Sequence, residues 1–240
     1  MTPRFLCSVF RAIRRGLWVA IGVIGLGIGF AGAQSTNGFE RYAVDIVRGP
    51  VVSPQYRASG AGIYMGKGLV LTAAHVAGRP TEMNPDTVVA DERYAIATLV
   101  KAGSLDGVDV TLLSVDPAAL PSRIVKLPPL SLCADKPIPG QTVTVVAPGN
   151  VRDSIIVSSD VLPPDLQKKL PTLIRDVYTT GNSGSGVFDP EIGCLMGIMS
   201  KKIERTGWRM DNGVRTRFNV GLAKYFVPAL TIAEFLDHLL

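Results

Sequence analysis

Six prolines between positions 117 and 139 (Pro117, Pro121, Pro128, Pro129, Pro137 and Pro139) mark a stretch that cannot be a central strand. Proline fixes φ and has no N–H to give to a ladder. Short β-prone runs separated by turn signals lie on both sides of it. Ahead of it, Ala61-Gly62-Ile63-Tyr64-Met65, a Gly66-Lys67-Gly68 turn and Leu69-Val70-Leu71-Thr72 predict a hairpin. The runs 94–100 and 108–115 supply two further strands. No long helical periodicity intervenes, so a six-stranded antiparallel barrel fits this half. Beyond the prolines, Gln141 to Ala147 alternates well, and 155–157, 194–199 and 220–223 continue the β pattern. Apolar residues at 229, 230, 232, 233, 235, 236 and 239 form a helical stripe at the end.

Hydrophobic residues make up 47% of the chain and charged residues 19%, which excludes disorder. The net charge of +5 invites a nucleic-acid reading, but Arg4, Arg11, Arg14 and Arg15 sit in residues 1–33 with no acid, leaving +5 − 4 = +1 for the rest. A nearly neutral body argues against nucleic acid as a partner. Residues 16–30 carry no charge and are followed by Ala31-Gly32-Ala33, small residues that suit cleavage before Gln34. The competing reading is a retained anchor over residues 16–33, the only contact with a membrane that the sequence suggests. In either case the body is exported, to a periplasm or beyond.

The chemistry concentrates in Thr179-Thr180-Gly181-Asn182-Ser183-Gly184-Ser185-Gly186-Val187-Phe188-Asp189. Glycines flanking a serine let backbone N–H groups turn toward one point beside the hydroxyl. Composition alone allows a plain Gly/Ser turn. A serine becomes a nucleophile when an imidazole oriented by a carboxylate takes its proton. Only two histidines exist: His238 near the C-terminus, and His75 in Leu71-Thr72-Ala73-Ala74-His75-Val76. Asp109 heads Asp109-Val110-Thr111-Leu112-Leu113. Asp106 is its rival, but Asp106-Gly107 is a turn signal that implies a solvated side chain.

Thr72-Ala73-Ala74-His75, the Asp109 block and Gly181-Asn182-Ser183-Gly184-Ser185, in this order, resemble the trypsin- and chymotrypsin-like serine peptidases over residues 60 to 226. The G-x-S-x-G elbow of α/β-hydrolases fits neither serine. The resemblance implies an all-β fold of two six-stranded antiparallel barrels with a C-terminal helix. Its parts would be a signal peptide or anchor at 1–33, a barrel at 34–120 with His75 and Asp109, and a Pro-rich linker at 121–140. A second barrel at 141–226 with Ser183 and a helix at 227–240 would follow. It implies Ser183 as nucleophile, His75 as general base and acid, and Asp109 as the orienter of His75. Backbone N–H groups of Gly181 and Ser183 would receive the oxyanion. Ser185 would occupy the place of a second glycine.

By the same resemblance Val177 lies at the floor of the primary pocket, with Tyr178, Thr180, Ser200 and Lys202 around it, favouring a small or medium apolar residue before the scissile bond. Substrates would be peptides or proteins, with no metal or organic cofactor; the oligomeric state is left open. Asn182 stands where secreted digestive relatives carry an aspartate that pairs with a newly cut α-amino group. A buried ammonium would lack its counter-ion there, so no activating cut beyond leader removal is expected. Cys133 and Cys194 form an even pair in the body, consistent either with a disulfide or with two buried thiols. The basic stretch from 201 to 217 reads as a solvated hairpin around Asp211-Asn212-Gly213.

Overall fold

The computed structural model describes residues 38–49, 58–82, 84–175, 183–211, 213–237 and 239. A 3-10 turn at Phe39–Tyr42 leads into the first sheet: β1 (Ala43–Val47), β2 (Gly60–Gly66), β3 (Leu69–Thr72), β4 (Thr87–Ala90), β5 (Arg93–Ala102) and β6 (Thr111–Val115), with the one-turn helix α1 (Ala74–Ala77) between β3 and β4. These strands close as a barrel in the order β1-β2-β3-β6-β5-β4. The proline stretch holds a 3-10 turn at Pro117–Ala119, the short helix α2 (Ser122–Val125) and a single bridge from Leu132 to Leu195. The second sheet comprises β7 (Thr142–Ala147), β8 (Asn150–Val157), β9 (Leu173–Ile174), β10 (Gly186–Phe188), β11 (Leu195–Asp211) and β12 (Val214–Pro228), with α3 (Pro164–Gln167) before β9. It closes in the order β10-β11-β12-β9-β8-β7, and α4 (Ala229–Leu236) ends the fold. All sheet pairings are antiparallel, so the expected double barrel with its terminal helix is the architecture observed.

Two strands of the first barrel, β1 and β4, escaped the sequence reading. Thr87–Ala90 is four residues long and buried throughout, so it offers no alternation to detect. The runs 194–199 and 220–223 proved to be parts of strands of 17 and 15 residues. The terminal helix is shorter than residues 227–240: Asp237 adopts φ 44° and stops it after Leu236. His238 lies outside the described residues.

One apolar core runs through both barrels. Ile46, Ile63, Leu71 and Leu112 of the first join Val146, Phe188, Leu195 and Ile198 of the second, with Ile232 and Leu236 of α4 closing the end. The Phe39 ring stacks on Phe188 at 4.4 Å between centroids, and Tyr42 donates to the Pro128 carbonyl at 3.0 Å. Lys101 of β5 lies over the Phe235 ring of α4, 5.0 Å from its centroid. Each barrel thus has contacts it cannot satisfy alone, and residues 36–240 form one compact unit. Among the described residues no helix is long and apolar enough to cross a membrane.

Cys133 and Cys194 are joined, with Cα atoms 5.1 Å apart, which settles the alternative left open above. The bond ties the proline stretch to the start of β11 and closes a loop of 61 residues in sequence. By loop-closure entropy a link of that length contributes about 4 kcal/mol. Replacing both cysteines by alanine should lower the unfolding free energy by roughly 2–4 kcal/mol, read as a shift in the denaturant midpoint. An unchanged midpoint would show that the bond contributes nothing to stability.

Candidate active site at the barrel seam

α1 has only one turn, begins at Ala73 in extended conformation and ends at Gly78, whose φ of 70° few other residues adopt readily. His75 therefore projects from a short, well-defined pedestal, its side chain 31% exposed. The last carbonyls of so short a helix have no intrahelical partner. Arg48, just past β1, supplies one: its Nε donates to the Val76 carbonyl at 2.9 Å and its Nη2 donates to the His75 carbonyl.

Asp109 lies two residues before β6 and is 2% exposed. Its Oδ1 accepts the His75 backbone N–H at 3.0 Å, and its Oδ2 lies 2.8 Å from His75 Nδ1. Oδ2 also accepts the Ser200 hydroxyl at 2.6 Å, from β11 of the other barrel. Burial works to raise the Asp109 pKa. The hydrogen bonds from His75 and Ser200, with the imidazole charge, outweigh it and hold the carboxyl below its ordinary value. An ionised Asp109 fixes the proton of His75 on Nδ1, which leaves Nε2 with a lone pair facing outward. Asp106 is exposed on its turn and takes no part.

Ser183 sits on the second barrel, just before β10. Its carbonyl accepts the Ala61 N–H of β2 at 2.9 Å, a backbone bond across the seam. Gly184 follows with φ 85°, and a Cβ there would lie 1.9 Å from the Ala61 carbonyl oxygen, so only glycine fits. Facing it, a Cβ on Gly60 would meet the Ser183 oxygen at 2.7 Å. The Ser183 hydroxyl donates to the Ser200 carbonyl at 3.2 Å. Ser185 is fully buried with its hydroxyl unpartnered, out of reach of any substrate.

The structure thus brings His75, Asp109 and Ser183 to one seam. The Ser200 side chain is 1% exposed and directed at Asp109, while its carbonyl accepts the Ser183 hydroxyl. The Lys202 ammonium pairs with Glu204 of its own strand at 3.0 Å. Val177, Tyr178, Thr180, Gly181 and Asn182 lie outside the described residues. The sequence reading missed the roles of Arg48 and of the Ser200 hydroxyl, since no local motif announces a partner 27 residues or more away. It also missed Tyr225, whose pKa is raised by burial and then by the Asp109 charge, keeping it a neutral phenol. Among the described residues no cluster of His, Cys, Asp and Glu is arranged to hold a metal.

Behind Arg48, Asp86 is 2% exposed and its Oδ2 has no hydrogen-bond partner. Burial pushes its carboxyl up to about 6, against the lowering effects of the Arg48 charge and the Gly49 N–H. Since the folded state holds this proton more tightly than the unfolded chain, the associated stability is fully present below pH ~4 and is lost as pH rises through about 6. Asp86→Asn should therefore flatten the stability profile between these values relative to the parent, by up to roughly 3 kcal/mol at the upper end. Denaturant midpoints at stepped pH check this; parallel profiles for the two proteins would refute it.

The family described as a trypsin-like peptidase domain matches residues 60–198. Among solved structures, Rv3671c from M. tuberculosis in an inactive form is similar at 23% identity and TM-score 0.53, covering 83% of this chain and 87% of that one. Neuropsin, a serine protease from mouse brain, aligns at 14% identity and TM-score 0.56 over 82% and 93%. The MamO protease domain from Magnetospirillum magneticum aligns at 19% and 0.50 over 83% and 97%. No protein among the curated ones searched matches the sequence significantly. These structural likenesses carry the fold, and the family match, spanning more than half of the sequence, carries the membership: the chain belongs to the trypsin-like peptidase domain family.

Proposed function

We propose that this chain is an exported serine endopeptidase that cleaves peptide bonds through an acyl-enzyme. The observation that carries the reading is the bridge at the seam: one buried carboxylate holds His75 by side chain and backbone, with Ser183 on a glycine turn pinned to the same strand pair. In the reaction the Ser183 hydroxyl turns from the Ser200 carbonyl to His75 Nε2, gives up its proton there and attacks the substrate carbonyl. The backbone N–H groups of Gly181 and Ser183 receive the developing oxyanion, His75 protonates the leaving amine, and water repeats the sequence. Export rests on the arginines and uncharged stretch of residues 1–33, with the mature chain starting at Gln34.

A second reading, an exported binding protein of peptidase fold that performs no catalysis, is favoured by one observation. The Ser183 hydroxyl is hydrogen-bonded to the Ser200 carbonyl, a resting geometry for a nucleophile. The two readings separate on a fluorophosphonate, which acylates only an activated serine. Labelling should map to Ser183, vanish in Ser183→Ala and persist in Ser185→Ala. His75→Ala should lower turnover on a peptide substrate by roughly three orders of magnitude or more. A parent protein that takes no label favours the binding reading, and label surviving Ser183→Ala overturns the assignment of the nucleophile.

A further inference from the structure

Past its last barrel contacts the β11–β12 pair continues as a ribbon. β12 pairs with β9 only through Lys224 and Tyr225, whereas β11 and β12 remain paired with each other from Glu204↔Gly221 out to Asp211↔Val214. At ~3.3 Å per residue the eight steps from Ser200 to Trp208 span about 26 Å. A two-stranded ribbon has no second layer in which to bury side chains. Yet its far end carries Trp208 at 55%, Met210 at 66% and Val214 at 65% exposure. Nearer the barrel the Phe218 ring packs over Gly207, where a Cβ would meet it at 2.5 Å, and Phe218, Val220 and Leu222 remain 37%, 48% and 38% exposed.

Charge at this end is sorted. Asp211 is its one acid, and Arg209 neutralises it at 2.7 Å. That leaves Arg215 and Arg217 as net positive charge. Their register partners are Met210 and Trp208, so both cations share a face with the two largest apolar groups, and the Arg215 guanidinium lies over the Trp208 ring at 4.6 Å. A shallow groove lined by Trp208, Phe218, Val220 and Leu222 opens along the ribbon, and Met210 and Val214 at the tip lie outside it. Indole and thioether flanked by guanidinium groups match the layer where acyl chains meet phosphates.

We propose that the tip of this ribbon docks on a bilayer rich in anionic lipid, with Trp208, Met210 and Val214 entering the interfacial layer and Arg215 and Arg217 meeting the phosphates. The seam then stands about 26 Å from the lipid along the ribbon, a height that selects peptide segments close to the membrane surface. The height consequence rests on the peptidase reading; the docking does not, and Ser183→Ala should dock unchanged.

Trp208 is the only tryptophan after residue 33, so the compact body starting at Gln34 reports on it alone. Added to vesicles of phosphatidylcholine with about a third phosphatidylglycerol, its emission should shift to the blue and be quenched by brominated acyl chains. Pure phosphatidylcholine should give little response. Arg215→Gln with Arg217→Gln should lower partitioning roughly tenfold or more. The full chain carrying Trp18→Phe should give the same quenching, which guards against a poorly folded body. Emission that ignores both vesicles in both proteins overturns the proposal, as does a response independent of headgroup charge. A response to a soluble acidic peptide but not to vesicles overturns it in favour of a protein partner.

Discussion

The backbone approach of Gly184 to Ala61 is the constraint on which the site depends. Two closed barrels ordinarily meet through side chains, about 10 Å apart. Here the main chain of one touches the main chain of the other, because Gly184 has no Cβ and Gly60 has none opposite. The Ala61 carbonyl accepts the Thr72 hydroxyl at 2.6 Å, and that hydroxyl also faces Gly184, 2.7 Å from where a Cβ would lie, so both atoms belong to the surface that excludes a side chain there. Thr72 in turn lies three residues before His75. The position of the Ser183 hydroxyl is thereby referred to the strand pair that delivers the imidazole, and the continuous apolar core of both barrels keeps that reference from shifting.

Asp109 makes the same connection electrostatically. A carboxylate 2% exposed is tolerated when its oxygens are occupied, and three donors do this: two from His75 and one from Ser200 across the seam. Separating the barrels would remove the Ser200 donor and leave part of a buried charge unmet, so packing and ionisation support each other. Asp86 is the contrasting case. It is as deeply buried but has one oxygen unpartnered, and it shifts toward the neutral form. The difference between the two aspartates is a count of donors, not of depth.

What the sequence disclosed follows from the reach of each interaction. The His75, Asp109 and Ser183 blocks were legible because each combines a chemical group with a local backbone need: small residues before the histidine, a strand after the aspartate, glycines around the serine. The double barrel was legible through the proline stretch and the turn signals. Arg48 was not, because the carbonyls it caps lie 27 and 28 residues away and a lone arginine after a strand has no signature. Ser200 was placed beside the site, but the bond of its hydroxyl to Asp109 was not read, since a residue number conveys which strand it joins but not which way its hydroxyl turns. β4 escaped because complete burial erases alternation, whereas β11 was read in two pieces, its inner run 194–199 and the hairpin around Asp211-Asn212-Gly213, because the charges and Gly207 between them hide one continuous strand.

The length of β11 and β12 then acquires a physical meaning. A strand that enters the barrel beside Ser183 needs only the few residues from Leu195 to Ile203 to complete the sheet, and all of those but Lys201 and Lys202 are buried. The residues beyond gain nothing from the core, and a bare ribbon with exposed Trp208 and Met210 is unfavourable in water. The stacking of Arg215 on Trp208 and the cover of Gly207 by Phe218 recover part of that cost, but they leave the apolar end turned outward. Because β11 is continuous, the same strand that positions the Ser200 hydroxyl on Asp109 also carries Trp208 at its far end. The tip and the Ser200–Asp109 contact at the seam are thus carried on one strand.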